Sequence, residues 1–106
     1  MEHVTDANYA TLVDGSEVPV VLDFGATWCG PCKKLEPILE EMSGGYAGRI
    51  RFYKVDVGED PGTTQKFGVM GVPTVIFLKS GKPVHRFSGV ESKEKITKML
   101  GQHLGV

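Results

Sequence analysis

The sequence predicts an α/β fold, a mixed β-sheet with helices on both faces. Three observations predict it. Segments of strand character alternate with segments of helical periodicity. The run from Pro19 to Phe24 is apolar on both alternate faces, as expected of a central strand covered on both sides. Thr74 to Ser88 then reads as two strands joined at Ser80-Gly81, and one last helix follows.

In chain order, His3 and Val4 make a short first strand. Asp6 is a plausible N-cap for a helix over about residues 6–14, with Tyr9, Leu12 and Val13 as its apolar face and Gly15 as its end. The second strand is Pro19-Val20-Val21-Leu22-Asp23-Phe24, in which Asp23 is the anomaly. From Cys29 to about Ser43 the apolar positions Leu35, Ile38, Leu39 and Met42 give a helix. Pro31 sits in its first turn, where the missing N–H costs little, and Pro37 is deep enough to kink it. Gly44-Gly45 ends its regular part. Arg51 to Val57 alternates, with Tyr53, Val55 and Val57 on one side and Phe52, Lys54 and Asp56 on the other. Asp60-Pro61 is an N-cap followed by Pro at the first helical position, opening a short helix that stops at Gly68. Thr74 to Lys79 and Val84 to Ser88 form the hairpin. Ser92 opens the last helix, with Ile96, Met99, Leu100 and Leu104 facing inward.

A chain of 106 residues, 41 % apolar and 24 % charged, makes one domain, 1–106, able to bury a core without staples. A net charge of −1 leaves no electrostatic footprint for nucleic acid or membrane. No apolar run approaches the roughly 18 residues of a spanning helix. Met1-Glu2-His3-Val4-Thr5 has no basic region followed by an apolar stretch, so a cytoplasmic location is expected. Nothing in the sequence points to an oligomer, and a monomer is expected.

Chemistry concentrates in Trp28-Cys29-Gly30-Pro31-Cys32, which holds the only two cysteines. They lie where an apolar strand gives way to a helix. Side chains at i and i+3 of a helix share a face about 5–6 Å apart at Cβ, close enough to close a disulfide. Free N–H groups and the helix dipole favour a thiolate at such a helix start.

At these residues the chain resembles the thioredoxin family. The matching features are Asp23-Phe24, Trp28 through Lys33, Pro37, Lys54-Val55-Asp56, Gly71-Val72-Pro73-Thr74 and Gly89, in order over nearly the whole chain. A C-x-x-C alone is weak, since zinc sites use it too; the pentapeptide with a later Val-Pro-Thr is very specific. The resemblance implies a five-stranded mixed sheet flanked by four helices. It also implies reduction of protein disulfides, with electrons from NADPH by way of a thioredoxin reductase. Substrates of the ribonucleotide reductase, methionine sulfoxide reductase and peroxiredoxin type are implied. No separate cofactor is implied, because the redox centre is the Cys29/Cys32 pair. Gly-Pro between the cysteines favours a reductant, since oxidants and isomerases of the superfamily usually carry histidine there. One departure is Gly25, which stands where many members carry a second tryptophan, so Trp28 is alone. Met70 and Val90 lie at rim positions that vary within the family.

Each candidate residue has a plainer reading beside the functional one. Cys29 and Cys32 are a catalytic dithiol, a metal site or a structural disulfide. In the first, Cys29 is the exposed attacking sulfur and Cys32 resolves the mixed disulfide. Tetrahedral zinc needs four ligands, and His3, His85 and His103 are scattered without ligand spacing. A structural loop this short gains only about 2 kcal/mol from closure. Asp23 is either a solvated strand end or a buried acid of raised pKa that exchanges protons with Cys32. Pro73 starts an edge strand in trans, or, as the resemblance implies, follows a cis bond that brings the Val72 backbone beside the dithiol to pair with an extended substrate. Trp28, Gly30, Pro31, Gly71, Val72 and Gly89 are turn and packing residues, or an apolar apron for substrate docking. Lys54 is a surface cation, or a modulator of Asp23 as strand register and the resemblance place it. Lys33, Lys34, Glu36, Glu40 and Glu41 read as a solvated helix face. A non-enzymatic binding module on the same fold is the alternative function.

Overall fold

The computed structural model describes residues 1–106. Its elements are β1 (Glu2–His3), a π-helical turn (Ala10–Asp14), β2 (Val20–Gly25), α1 (Gly30–Gly45), β3 (Arg51–Asp56), α2 (Pro61–Lys66), β4 (Thr74–Lys79), β5 (Lys82–Ser88) and α3 (Lys93–Leu104). The five strands form one sheet in the order β1-β3-β2-β4-β5. The pairs β1–β3 and β2–β3 are parallel, and β2–β4 and β4–β5 antiparallel. The mixed sheet expected from the sequence is therefore present, with β2 at its centre.

Alternation along the strands sorts side chains into two cores. Leu22, Phe24, Tyr53, Val55, Ile76 and Leu78 pack with Tyr9, Val13 and Phe67 on one face. Val21, Phe52, Val75 and Phe77 pack with Leu35, Leu39 and Met42 of α1 and Ile96, Leu100 and Leu104 of α3 on the other. Fully burying a Leu such as Leu35 or Leu39 contributes about 1.5–3 kcal/mol, so α1 is held along its whole inner face. Asp23 shares the α1 face with Val21, because side chains two apart on a strand point the same way.

The first helix is shorter than expected, and its cap is a different residue. Thr5 and Asn8 bond each other's backbone N–H through their side chains, at 2.7 and 3.2 Å. That reciprocal pair opens the turn, and the regular part is confined to Ala10–Asp14. Asp6, expected as that cap, instead reaches α2, accepting from Gly62 N (3.0 Å), Thr63 N (2.7 Å) and Thr63 Oγ1 (2.7 Å). Asp60 is the N-cap residue of α2 with Pro61 opening the helix, as expected, but its side chain accepts from the Asp6 amide at 3.1 Å and not from the helix. Asp6 thus supplies the side-chain cap of α2, and Asp60 holds the Asp6 backbone beside it.

Other boundaries move by one or two residues for local reasons. β1 is Glu2–His3, while Val4 is buried with its amide bonded to Lys54 O at 2.8 Å. β3 ends at Asp56 because Asp56 Oδ1 accepts from Gly58 N and Glu59 N and turns the chain. α1 continues through Gly45, whose carbonyl accepts from Arg49 Nη2 at 2.6 Å. β5 starts at Lys82 because the hairpin turn has only Ser80 (φ 52°) and Gly81 (φ 78°), the positive-φ pair that matches strand twist. An irregularity then skips Val84, so Phe77 faces His85 and Leu78 faces Pro83. Pro83 is tolerated because β5 is an edge strand.

Candidate active site

β2 delivers Asp23 and Gly25 to the sheet's end, and Ala26-Thr27-Trp28 turns the chain into α1. Cys29 is the N-cap, with extended backbone (φ −92°, ψ 111°), and its Sγ accepts the Cys32 N–H at 3.2 Å. Pro31 in the first turn offers no competing N–H. Cys29 and Cys32 are joined as a disulfide with Cα atoms 5.3 Å apart, the oxidised form of the pair.

The expected exposure of Cys29 is not what the structure has. Cys29 is 4 % exposed and Cys32 7 %. The N-cap geometry turns Cys29 Sγ back over the helix start, which buries it. The two sulfurs differ in hydrogen bonding instead, since Cys29 Sγ alone accepts a backbone N–H. That bond and the helix dipole favour negative charge on Cys29 once the disulfide opens.

Asp23 is 5 % exposed, and its Oδ1 has no hydrogen-bond partner. Burial pushes its carboxyl up to about 7, the Glu36 charge adds to the rise, and Lys54 pulls against it. Lys54 is the register partner of Asp23 across the β2–β3 ladder. Its Nζ nevertheless donates to Glu36 Oε1 at 2.7 Å. Asp23, Cys32, Glu36 and Lys54 line one open cleft of about 270 Å³. Gly25 lines it too; a Cβ there would stand 3.4 Å from Cys32 Sγ.

Glu36 is the residue that sequence reasoning missed. The sequence places it on a solvated helix face, yet it enters the cleft with Lys33. Its spacing of four from Cys32 was the available signal, because i and i+4 share a helix face. Of the other acids in that group, Glu40 meets the N-terminal ammonium and Glu41 meets Lys93.

The Val72–Pro73 peptide is cis, and Pro73 is buried. Thr74 faces Phe24 in register, so Pro73 lies at the same end of the sheet as Gly25. Pro73 O accepts from Gly89 N at 3.0 Å, and Thr74 Oγ1 donates to Gly71 O at 2.7 Å. Those bonds gather Gly71, Val72, Pro73 and Gly89 at one end. Trp28 is 77 % exposed, and Met70 and Val90 are also exposed apolar side chains. Gly30, Pro31 and Gly71 are exposed, and Val72 and Gly89 half-buried.

The histidines are less scattered than the sequence suggests. His85 of β5 stacks on His103 of α3 with ring centroids 4.0 Å apart. No third His, Cys, Asp or Glu joins them to make a metal-binding group. No helix is long and apolar enough to cross a membrane.

The family model for thioredoxin matches residues 1–102. The chain is 46 % identical over 101 residues to the thioredoxin of Staphylococcus haemolyticus (strain JCSC1435), covering 95 % of each. It is 46 % identical to the thioredoxin of Staphylococcus aureus (strain Mu50 / ATCC 700699) and 45 % to that of Staphylococcus epidermidis (strain ATCC 12228 / FDA PCI 1200), with the same coverage.

Proposed function

The chain belongs to the thioredoxin family, and from that premise we propose that it is a reductant of protein disulfides in which each site residue has a separate task. It is a thioredoxin-type disulfide oxidoreductase whose redox centre is the Cys29/Cys32 pair, and it acts by dithiol–disulfide exchange. The observation that carries the proposed roles is the Cys29 sulfur at the helix N-cap, bonded to Cys32 and accepting its N–H.

The cycle starts from the reduced form. Cys29 thiolate attacks one sulfur of a substrate disulfide. A Cys29–substrate disulfide forms, and the other substrate sulfur leaves as a thiolate that takes a proton from solvent. Cys32 thiol then passes its proton toward the Asp23 carboxylate in the cleft and attacks Cys29 Sγ. The intramolecular disulfide forms, and the second substrate thiolate departs. Two electrons have moved to substrate, and the protein is left oxidised. A thioredoxin reductase restores the dithiol. Lys54 sets how readily Asp23 takes the proton. Trp28, Gly30, Pro31, Gly71, Val72, Pro73 and Gly89 form the docking apron, which suits an extended segment of substrate backbone.

The same reading covers the setting. The protein works as a single domain and a monomer in the cytoplasm. Its substrates are of the ribonucleotide reductase, methionine sulfoxide reductase and peroxiredoxin type. The test is to mix reduced Cys32→Ser and Cys29→Ser variants with a disulfide-bonded substrate protein and weigh the products. Cys32→Ser is expected to accumulate a covalent mixed disulfide, and Cys29→Ser none. A covalent product through Cys32 in the Cys29→Ser variant, at a rate matching the native protein, would refute the assigned roles.

A further inference from the structure

The residue pair that the sheet sets side by side is not the pair that bonds. Asp23 and Lys54 face each other in the parallel ladder, beneath α1. The Lys54 ammonium is instead drawn to Glu36, one turn along α1 from Cys32. The ion pair stands toward the mouth of the cleft, with Lys54 29 % and Glu36 41 % exposed. The Asp23 carboxyl stays inside with one oxygen unpartnered. The remaining titratable groups facing the cleft are His3 of β1, Lys33 of α1 and Asp56 of β3. On the β4 side Asp23 pairs with Val75, which carries no charge.

We propose that Glu36 is a positioning residue for the proton step: by holding the Lys54 ammonium it keeps that cation off Asp23, so that Asp23 can take up and return the Cys32 proton. The reason is electrostatic. A cation in contact with a buried carboxylate stabilises the charged form and empties it of its proton. An anion beside it does the reverse. Glu36 does both jobs at once, removing the cation and adding a negative charge at the rim. The direction agrees with the effects already described at Asp23, where Glu36 raises and Lys54 lowers. The inference rests on Asp23 handling the proton, as proposed above.

Two measurements test it. Infrared titration of the Asp23 carboxyl in the oxidised protein avoids interference from thiols. Stopped-flow rates of mixed-disulfide resolution against pH read the same group in action. Glu36→Gln keeps the size of the side chain and removes its charge, and it is expected to move the Asp23 midpoint down by about one pH unit. Glu36→Asp keeps the charge and should return most of that shift, and Lys54→Met should move the midpoint upward. A Glu36→Gln midpoint that stays in place or rises, while Asp23→Asn abolishes the inflection, overturns the inference alone. An inflection that persists unchanged in Asp23→Asn overturns the proton role of Asp23 itself.

Discussion

Lys54 stands directly across from Asp23 in the β2–β3 ladder, yet its ammonium is bonded to Glu36 and leaves the buried carboxyl without an ionic partner. A buried acid in that position destabilises the fold when it is charged. The folded pKa, about 7, lies above the ordinary 3.8. The native state therefore holds its proton longer than the unfolded chain. Stability is full below about pH 4 and is lost as pH rises through about 7. Asp23→Asn is expected to gain roughly 3–4 kcal/mol over the native protein at about pH 8 and little at about pH 4. Denaturant melts at the two pH values check this. The same variant should resolve mixed disulfides more slowly.

Gly25 leaves room beside Cys32. An added Cβ would lie 3.4 Å from Cys32 Sγ and 3.6 Å from its Cβ, which is ordinary contact. Alanine reduces the freedom of the unfolded chain, so Gly25→Ala should stabilise by about 0.5 kcal/mol. The measurement is the urea midpoint; a loss of more than about 1 kcal/mol would mean that the space is needed.

Asp6 and Asp60 together join the start of the chain to α2. Asp6 is held below the usual carboxylate range, first by the Thr63 hydroxyl and then by the Thr63 amide. A depressed pKa contributes stability above the unfolded value, and that stability is lost as pH falls through the folded one. Asp6→Ala is expected to lower stability at neutral pH and to speed hydrogen exchange at the Gly62 and Thr63 amides. Unchanged protection at both amides would contradict the cross-chain cap.

His85 is held below its ordinary value by burial and then by the neighbouring His103. Charging it is disfavoured in the folded state, so stability is lost as pH falls below about 6.5. His103→Gln removes the imidazole stacked on His85. In that variant the His85 midpoint, followed by NMR, should rise toward the ordinary value.

The frame was legible because it depends on periodicity. β4 lies at Thr74–Lys79 as its alternation requires, and α3 opens at Ser92, whose side chain accepts from Lys95 N at 3.2 Å. The dithiol was legible because only two cysteines exist and they sit at a strand–helix junction. The cross-chain cap and the ion pairs were not legible. Asp6 reads as a local cap, and only the folded chain brings it to the Gly62 and Thr63 amides of α2. Glu36 looked like one charge among several on a helix surface. What distinguishes it is that β3 places Lys54 within 2.7 Å, a long-range contact that no local pattern encodes. The burial of Cys29 was hidden for a related reason, since the fold-back of an N-cap sulfur depends on backbone angles.

The direction of electron flow is read most directly from the equilibrium reduction potential of the Cys29/Cys32 pair in defined thiol–disulfide buffers. For a two-electron couple each 30 mV is about 1.4 kcal/mol, so the direction of electron flow can be read clearly. A potential clearly below the cytosolic glutathione poise is expected, at which the dithiol gives its electrons to substrate disulfides. A potential well above that poise would make the dithiol the favoured form and the protein an oxidant or isomerase, contradicting the proposed direction.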